Sequence, residues 1–130
     1  MVKIWTNGCF DILHRGHLEM FKYAKSLGQH LRVGIDSDQK IKASKGLCRP
    51  VNNQDDRMAM LEAIKYIDEV VIYETPGELT GYIKNYSPDI LVVGSDWEGK
   101  LVVGAEYAGK VEYFKRLNNY STTNILEKLK

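Results

Sequence analysis

The sequence predicts an α/β fold: a parallel five-stranded sheet with helices on both faces. Three observations predict it. Short runs rich in Val and Ile recur along the chain, most of them bounded by Gly, Asp or Ser, as buried parallel strands tend to be. Stretches with apolar residues three and four apart lie between several of these runs. Helix start and stop signals stand where those stretches begin and end. Strands alternating with helices pack as a parallel sheet, and the crossovers are right-handed.

The strand-like runs are Lys3 to Thr6, Leu31 to Ile35, Glu69 to Tyr73, Ile90 to Val93 and Val111 to Phe114. The first helical pattern runs from Leu18 to Leu27. Leu18, Phe21, Ala24 and Leu27 mark its apolar face, and Gly28 reads as its C-terminal stop. Met60, Leu61, Ile64 and Ile67 mark a second helix from about Gln54. A third starts at Thr75-Pro76-Gly77-Glu78: Thr75 can cap, Pro76 suits the first helical position and Glu78 closes the capping box. Ser87-Pro88 ends it, and Ser121 can cap a last helix to about Leu129. Asp36 to Asn53 and Gly94 to Gly109 read as irregular; loops that long in a compact domain are usually functional or mobile.

The chain is read as a single domain over residues 1–130, long enough to bury a real core. Its 18 basic and 17 acidic residues leave a net charge of +1, which argues against a non-specific nucleic-acid binder. Cys9 and Cys48 suggest no disulfide framework and fit a reducing cytoplasm. No signal-peptide pattern and no run approaching a membrane span is visible. His30 reads as an isolated polar residue before a strand.

The stretch Gly8-Cys9-Phe10-Asp11-Ile12-Leu13-His14-Arg15-Gly16-His17 joins the first strand to the first helix. The free N–H groups and positive dipole end of a helix start make a seat for phosphate. His14 and His17 would add side-chain donors, and Gly16 between them leaves room for an anion to approach the backbone. The same histidines are compatible with a surface pair or half a metal site, although no Cys, His or Asp cluster elsewhere supplies partner ligands.

The loop after the second strand carries Lys40, Lys42, Lys45, Arg49 and Arg57 within eighteen positions. This suits a polyphosphate, with Lys as a mobile point charge and Arg as a two-oxygen grip; a solvated basic loop is the plainer reading. Gly94 ends the fourth strand where a ligand can come close. Asp96 is a nucleotide-orienting acceptor or a turn residue, and Trp97 is a flat apolar face or core packing. Ser121, Thr122 and Thr123 offer hydroxyls at a helix start.

Gly8, Phe10, Asp11, His14, Gly16 and His17 resemble the signature of the cytidylyltransferase-like branch of the nucleotidyltransferase superfamily: a glycine, Phe-Asp, then His-x-Gly-His. The run from Ser37-Asp38 through Lys45-Gly46 and Arg49-Pro50-Val51-Asn52 to Arg57 resembles the corresponding loop of ADP-heptose synthase adenylyltransferase domains, and the separate segment Val102 to Tyr107 also looks more like the heptose type. Gly94-x-Asp96-Trp97-Glu98-Gly99-Lys100 is similar to glycerol-3-phosphate cytidylyltransferases. Arg116, five residues before Ser121-Thr122-Thr123, matches the cytidylyltransferase pattern, but Leu117-Asn118-Asn119-Tyr120 stands where those enzymes usually have Thr-Glu-Gly-Ile. The resemblance runs from Lys3 to Leu129, as a mosaic of two subfamilies.

The resemblance implies a Rossmann-like nucleotidyltransferase that moves a nucleoside monophosphate from a triphosphate to a phosphorylated acceptor and releases pyrophosphate. It implies His14, His17, Lys45 and Arg116 as catalytic groups. Gly8, Cys9, Phe10, Asp11, Gly16, Lys42, Gly94, Asp96, Trp97 and Ser121 to Thr123 would bind nucleotide. Either Lys42 or Lys45 would reach the phosphates, with Lys45 favoured. No protein metal site is expected; Mg2+ would come with the triphosphate. CTP with glycerol 3-phosphate or a similar polyol is the leading expectation. ATP with a heptose 1-phosphate follows, then AMP transfer to a vitamin phosphate as in FMN adenylyltransferases. A non-catalytic nucleotide-binding module is the rival from another class, and a nucleic-acid binder a more distant one. The expected partners are small molecules, with no nucleic acid and no membrane, and a homodimer is expected by resemblance.

Overall fold

The computed structural model describes residues 1–46 and 48–115. Five strands, β1 (Lys3–Gly8), β2 (His30–Asp36), β3 (Glu69–Tyr73), β4 (Ile90–Gly94) and β5 (Lys110–Phe114), form one parallel sheet in the order β3-β2-β1-β4-β5. Each contains the run expected of it, lengthened by up to two residues. The expected helix after Ser121 lies outside the described residues.

Helices α1 (Arg15–Ser26) and α3 (Gln54–Glu62) cover one face and α4 (Pro76–Tyr86) the other. Strand alternation explains the two cores. Ile4, Leu31, Val33, Ile35 and Val70 point to Phe21, Ala24 and Leu61, while Trp5, Tyr73 and Leu91 point to Leu79, Ile83 and Tyr86. Side chains such as Phe21, Leu61 and Ile83 are fully buried, each contributing about 1.5–3 kcal/mol of apolar transfer free energy. Among the described residues no helix is long and apolar enough to cross a membrane.

Three expectations need correction. The stretch 36–53 is not structureless: it holds α2 (Asp38–Lys45), capped by the Ser37 hydroxyl, which accepts from the Lys40 N–H, and anchored by buried Ile41. A single buried apolar position gives no helical period to read. Gly28 does stand at the C-terminal stop of α1, directly after the C-cap. The helix ends on Leu27 in right-handed geometry, and a Cβ at Gly28 would meet the Val2 carbonyl oxygen at 2.6 Å, so the position needs close backbone approach. Leu18 and Met60 are 42% and 60% exposed, off the core faces assigned to them. His30 is not isolated: it opens β2 with Nδ1 2.6 Å from the Tyr86 hydroxyl. By contrast, the Thr75 hydroxyl accepts from the Glu78 N–H with Pro76 at the start of α4, as the sequence predicts.

The sheet opens where the chemistry is expected. The β1–β2 ladder runs to Gly8, but the β1–β4 pairing stops at Trp5. Beyond it the Thr6 hydroxyl donates to the Val92 carbonyl at 2.8 Å. The chain winds outward from β1 through β2 to β3 and then crosses back to place β4 on the other side of β1, so a crevice forms at the carboxyl edge of the reversal point.

Candidate active site

The opening loop is held in an unusual backbone conformation. Phe10 has φ of 50°, left-handed for a non-glycine residue, a state that costs about 1–3 kcal/mol and needs support from its surroundings. The ring gives that support. It packs edge-on to Phe21 at 5.1 Å and to His17 at 5.3 Å between centroids.

The first helix starts at Arg15, three residues before its apolar pattern, with His14 as extended N-cap and His17 at the third helical position. The His17 ring reaches back: its Nδ1 accepts from the His14 N–H at 3.2 Å, the part a Glu plays in a capping box. A backbone N–H can only donate, so Nδ1 holds a lone pair and the neutral ring carries its proton on Nε2. The two imidazoles stack, with centroids 3.8 Å apart and planes at 22°. Both line a cavity of about 760 Å³ at the sheet's carboxyl edge, within the size range of small-molecule sites, roughly 300–1,000 Å³.

The cavity gathers most of the residues expected from sequence. Gly8, Cys9, Phe10, Gly16, Lys45, Gly94, Asp96 and Trp97 line it with the two histidines. Trp97 is 47% exposed, a rim residue rather than core packing. A Cβ at Gly94 would meet Asp96 Oδ1 at 2.6 Å, so glycine lets that carboxylate fold back over the strand end. Burial is the main cause that pushes the Cys9 thiol up, which keeps it in the inert form. Among the described residues no group of three or more His, Cys, Asp or Glu could hold a metal ion. Arg116, Ser121, Thr122 and Thr123 lie outside the described residues.

Three residues differ from expectation. Lys42 is exposed and does not line the cavity, whereas Lys45 does. Arg57 is no phosphate ligand. It is 1% exposed and donates to the carbonyls of Cys9 at 3.0 Å, Asp36 at 2.7 Å and Asn52 at 3.0 Å, and to Asp38 Oδ1 at 2.8 Å. Asp11 is likewise buried and does not line the cavity. Its carboxylate accepts from the Val51 and Asn52 N–H groups, both at 2.9 Å, and from Arg49 Nε at 3.0 Å. These two side chains clamp the loop after α2 to the loop before α1.

Burial alone would raise the Asp11 carboxyl. The Asn52 and Val51 N–H groups and the Arg49 guanidinium outweigh it and hold the group below the usual carboxylate range. A carboxyl lower in the folded than in the unfolded chain stabilises fully above its unfolded value, about 3.9, and loses that contribution as pH falls through the folded value. Asp11→Asn is expected to lower the melting temperature at neutral pH. The gap between variant and unsubstituted protein should close as melts are taken below about pH 4.

Sequence reasoning missed Asn7, Asp36 and Tyr73 as cavity residues. Their signal was position: each sits at or next to the carboxyl end of a strand, where ligands of parallel sheets bind.

Two stacked imidazoles at a helix start above a cavity, at the reversal point of a parallel sheet, define an α/β domain with a candidate site at the sheet's carboxyl edge. The cytidylyltransferase-like family model matches residues 5–128, and the chain belongs to that family, which is nucleotidyltransferase-like. The chain is 47% identical over 127 residues to the bifunctional protein HldE of Campylobacter fetus subsp. fetus (strain 82-40), a match covering 98% of this chain and 28% of the relative. It is 46% identical over 129 residues to HldE of a Nitratiruptor species, covering 98% and 27%. The chain thus spans under a third of the length of these relatives. Among solved structures, the lipopolysaccharide core biosynthesis protein of Thermoplasma volcanium GSS1 shares the fold, with a TM-score of 0.70 at 24% identity over 93% of this chain and 99% of that one.

Proposed function

We propose that this chain is an adenylyltransferase that transfers AMP from ATP to a heptose 1-phosphate or similar sugar phosphate. The observation that carries the transfer is the stacked pair His14 and His17 at the head of α1, facing the cavity. Similarity to HldE proteins over nearly the whole chain favours the heptose side of the two motif resemblances. It moves the preference away from CTP and glycerol 3-phosphate, which rest on the Trp97-Glu98-Gly99-Lys100 run and the spacing of Arg116.

In this reading an oxygen of the acceptor phosphate attacks the α-phosphorus of the triphosphate. The new P–O bond forms as the bond to the α–β bridging oxygen breaks, and pyrophosphate leaves with the electron pair. The protein's contribution is positioning and charge neutralisation. His17 donates from Nε2, the nitrogen its cap does not use, and Lys45 supplies mobile positive charge. Arg116 would add a second cation; that assignment rests on the resemblance. Magnesium would arrive on the triphosphate and screen its charge, with no described residue assigned to hold it.

Four triphosphates set against glucose 1-phosphate, mannose 1-phosphate and glycerol 3-phosphate, read by pyrophosphate release, test the reading. ATP with a sugar phosphate is expected to respond most. A dominant response to CTP with glycerol 3-phosphate would restore the polyol reading, and binding without release would indicate a non-catalytic module. In the same assay Lys45→Ala is expected to raise the KM for triphosphate about 10- to 100-fold, the loss of one charge-assisted hydrogen bond. Lys42→Ala should stay within about twofold, as surface substitutions do.

A further inference from the structure

Sheet order gives the cavity two unlike sides, one toward β4 and one toward β2 and β3. Val93, Trp97, Val102 and Val103 make one of them apolar. The other is polar, built from Asn7 of β1, Asp36 of β2, Tyr73 of β3 and Lys40 of α2. Its groups form a hydrogen-bonded chain. Trp5 Nε1 donates to Asn7 Oδ1 at 2.9 Å, and Asn7 Nδ2 donates to the Tyr73 hydroxyl at 3.4 Å. Burial first, and then the neighbouring Asp36 carboxylate, hold the Tyr73 hydroxyl protonated, and Lys40 Nζ lies 3.7 Å from Asp36 Oδ1. Tyr73 is 2% exposed, and the Asp36 side chain 14%.

Asn7, Asp36 and Tyr73 have no part in the phosphate handling proposed for His14, His17 and Lys45. Asp36 is out of keeping with it. A carboxylate beside a polyphosphate site repels phosphate, and an apolar ligand would strip its water without replacing it. The occupant that suits it is one that brings O–H donors. Asn7 and Lys40 offer further polar atoms within the same wall. Tyr73, fixed by its buried ring, holds the carboxylate's orientation and acts as a positioning residue.

We infer that Asn7, Asp36, Lys40 and Tyr73 form the subsite that reads the hydroxyl groups of a polyhydroxylated acceptor phosphate, with Asp36 as the specificity-determining acceptor. The identity of the occupant as the acceptor rests on the transferase reading. The amino group of a nucleobase is the competing donor, and the two occupants give opposite kinetics.

The test uses Asp36→Asn and Tyr73→Phe, both close to isosteric, with folding checked by melting temperature. With ATP, magnesium and the better of glucose 1-phosphate and mannose 1-phosphate, Asp36→Asn is expected to raise the KM for the sugar phosphate about 10- to 100-fold. The KM for ATP should remain within about twofold. Tyr73→Phe should move the sugar-phosphate KM in the same direction by roughly 3- to 10-fold. A rise in the KM for ATP instead, or no change in either, overturns the inference. If the unsubstituted protein releases no pyrophosphate with any pair, the transferase reading fails and calorimetry with the sugar phosphates alone decides the subsite. Binding by the unsubstituted protein that is lost in Asp36→Asn upholds the wall. Equal binding by both proteins, or none by either, overturns it.

Discussion

Replacing His17 with alanine is expected to lower turnover by about 10²–10³, the usual loss for one donor to a developing oxyanion. kcat should fall more than KM rises, because the interaction strengthens as charge builds. Alanine also removes the acceptor of the His14 N–H, so α1 loses a cap worth about 0.5–2 kcal/mol. His17→Asn separates the two effects. Its amide oxygen falls near the place of Nδ1 and keeps the cap, while nothing replaces Nε2. The asparagine variant should therefore melt close to the unsubstituted protein and lose turnover like the alanine variant. Pyrophosphate release and thermal melts of both variants check this pair of outcomes.

Arg57→Ala is expected to have the largest effect on stability. The guanidinium joins four segments: the residue after β1, the end of β2, the start of α2 and the residue two before α3. Its loss leaves the Cys9, Asp36 and Asn52 carbonyls short of a donor and Asp38 short of its partner. Breaking a buried charged network of this kind costs about 3–5 kcal/mol, a fall in melting temperature of roughly 10 °C or more for a domain of this size. Arg57→Lys should recover only part of the loss, because an ammonium cannot reach the same acceptors as a planar fork. A phosphate ligand would behave in the opposite way, with an unchanged melting temperature and a raised KM for triphosphate. Thermal melts beside steady-state kinetics distinguish the two.

The contrast between Arg57 and Lys45 shows what the sequence made legible. Strand runs such as Glu69–Tyr73 and the α4 start at Thr75-Pro76 follow local rules, and the structure reproduces them. The opening motif was legible because its residue types and spacing are themselves the chemistry. The basic loop was not, because charge alone does not say which way a side chain points. Lys45 faces the cavity, Lys42 does not, and Arg57 is sealed beneath it. Asp11 sits inside the motif yet acts on Arg49 and the backbone of Val51 and Asn52, some forty residues on. That pairing is a tertiary contact with no local signature. The Asn7–Tyr73–Asp36 chain was hidden for the same reason: three strands contribute one residue each, and only sheet order brings them together.

In the proposed reaction the imidazole pair seats the reacting phosphate. The most direct measurement is the ¹⁵N spectrum of the His14 and His17 rings as ATP with magnesium is added. Before addition the His17 ring is expected to show Nδ1 unprotonated and Nε2 protonated, with a saturable shift at Nε2 as nucleotide binds. Nucleotide that binds while both rings keep their resonances would contradict it.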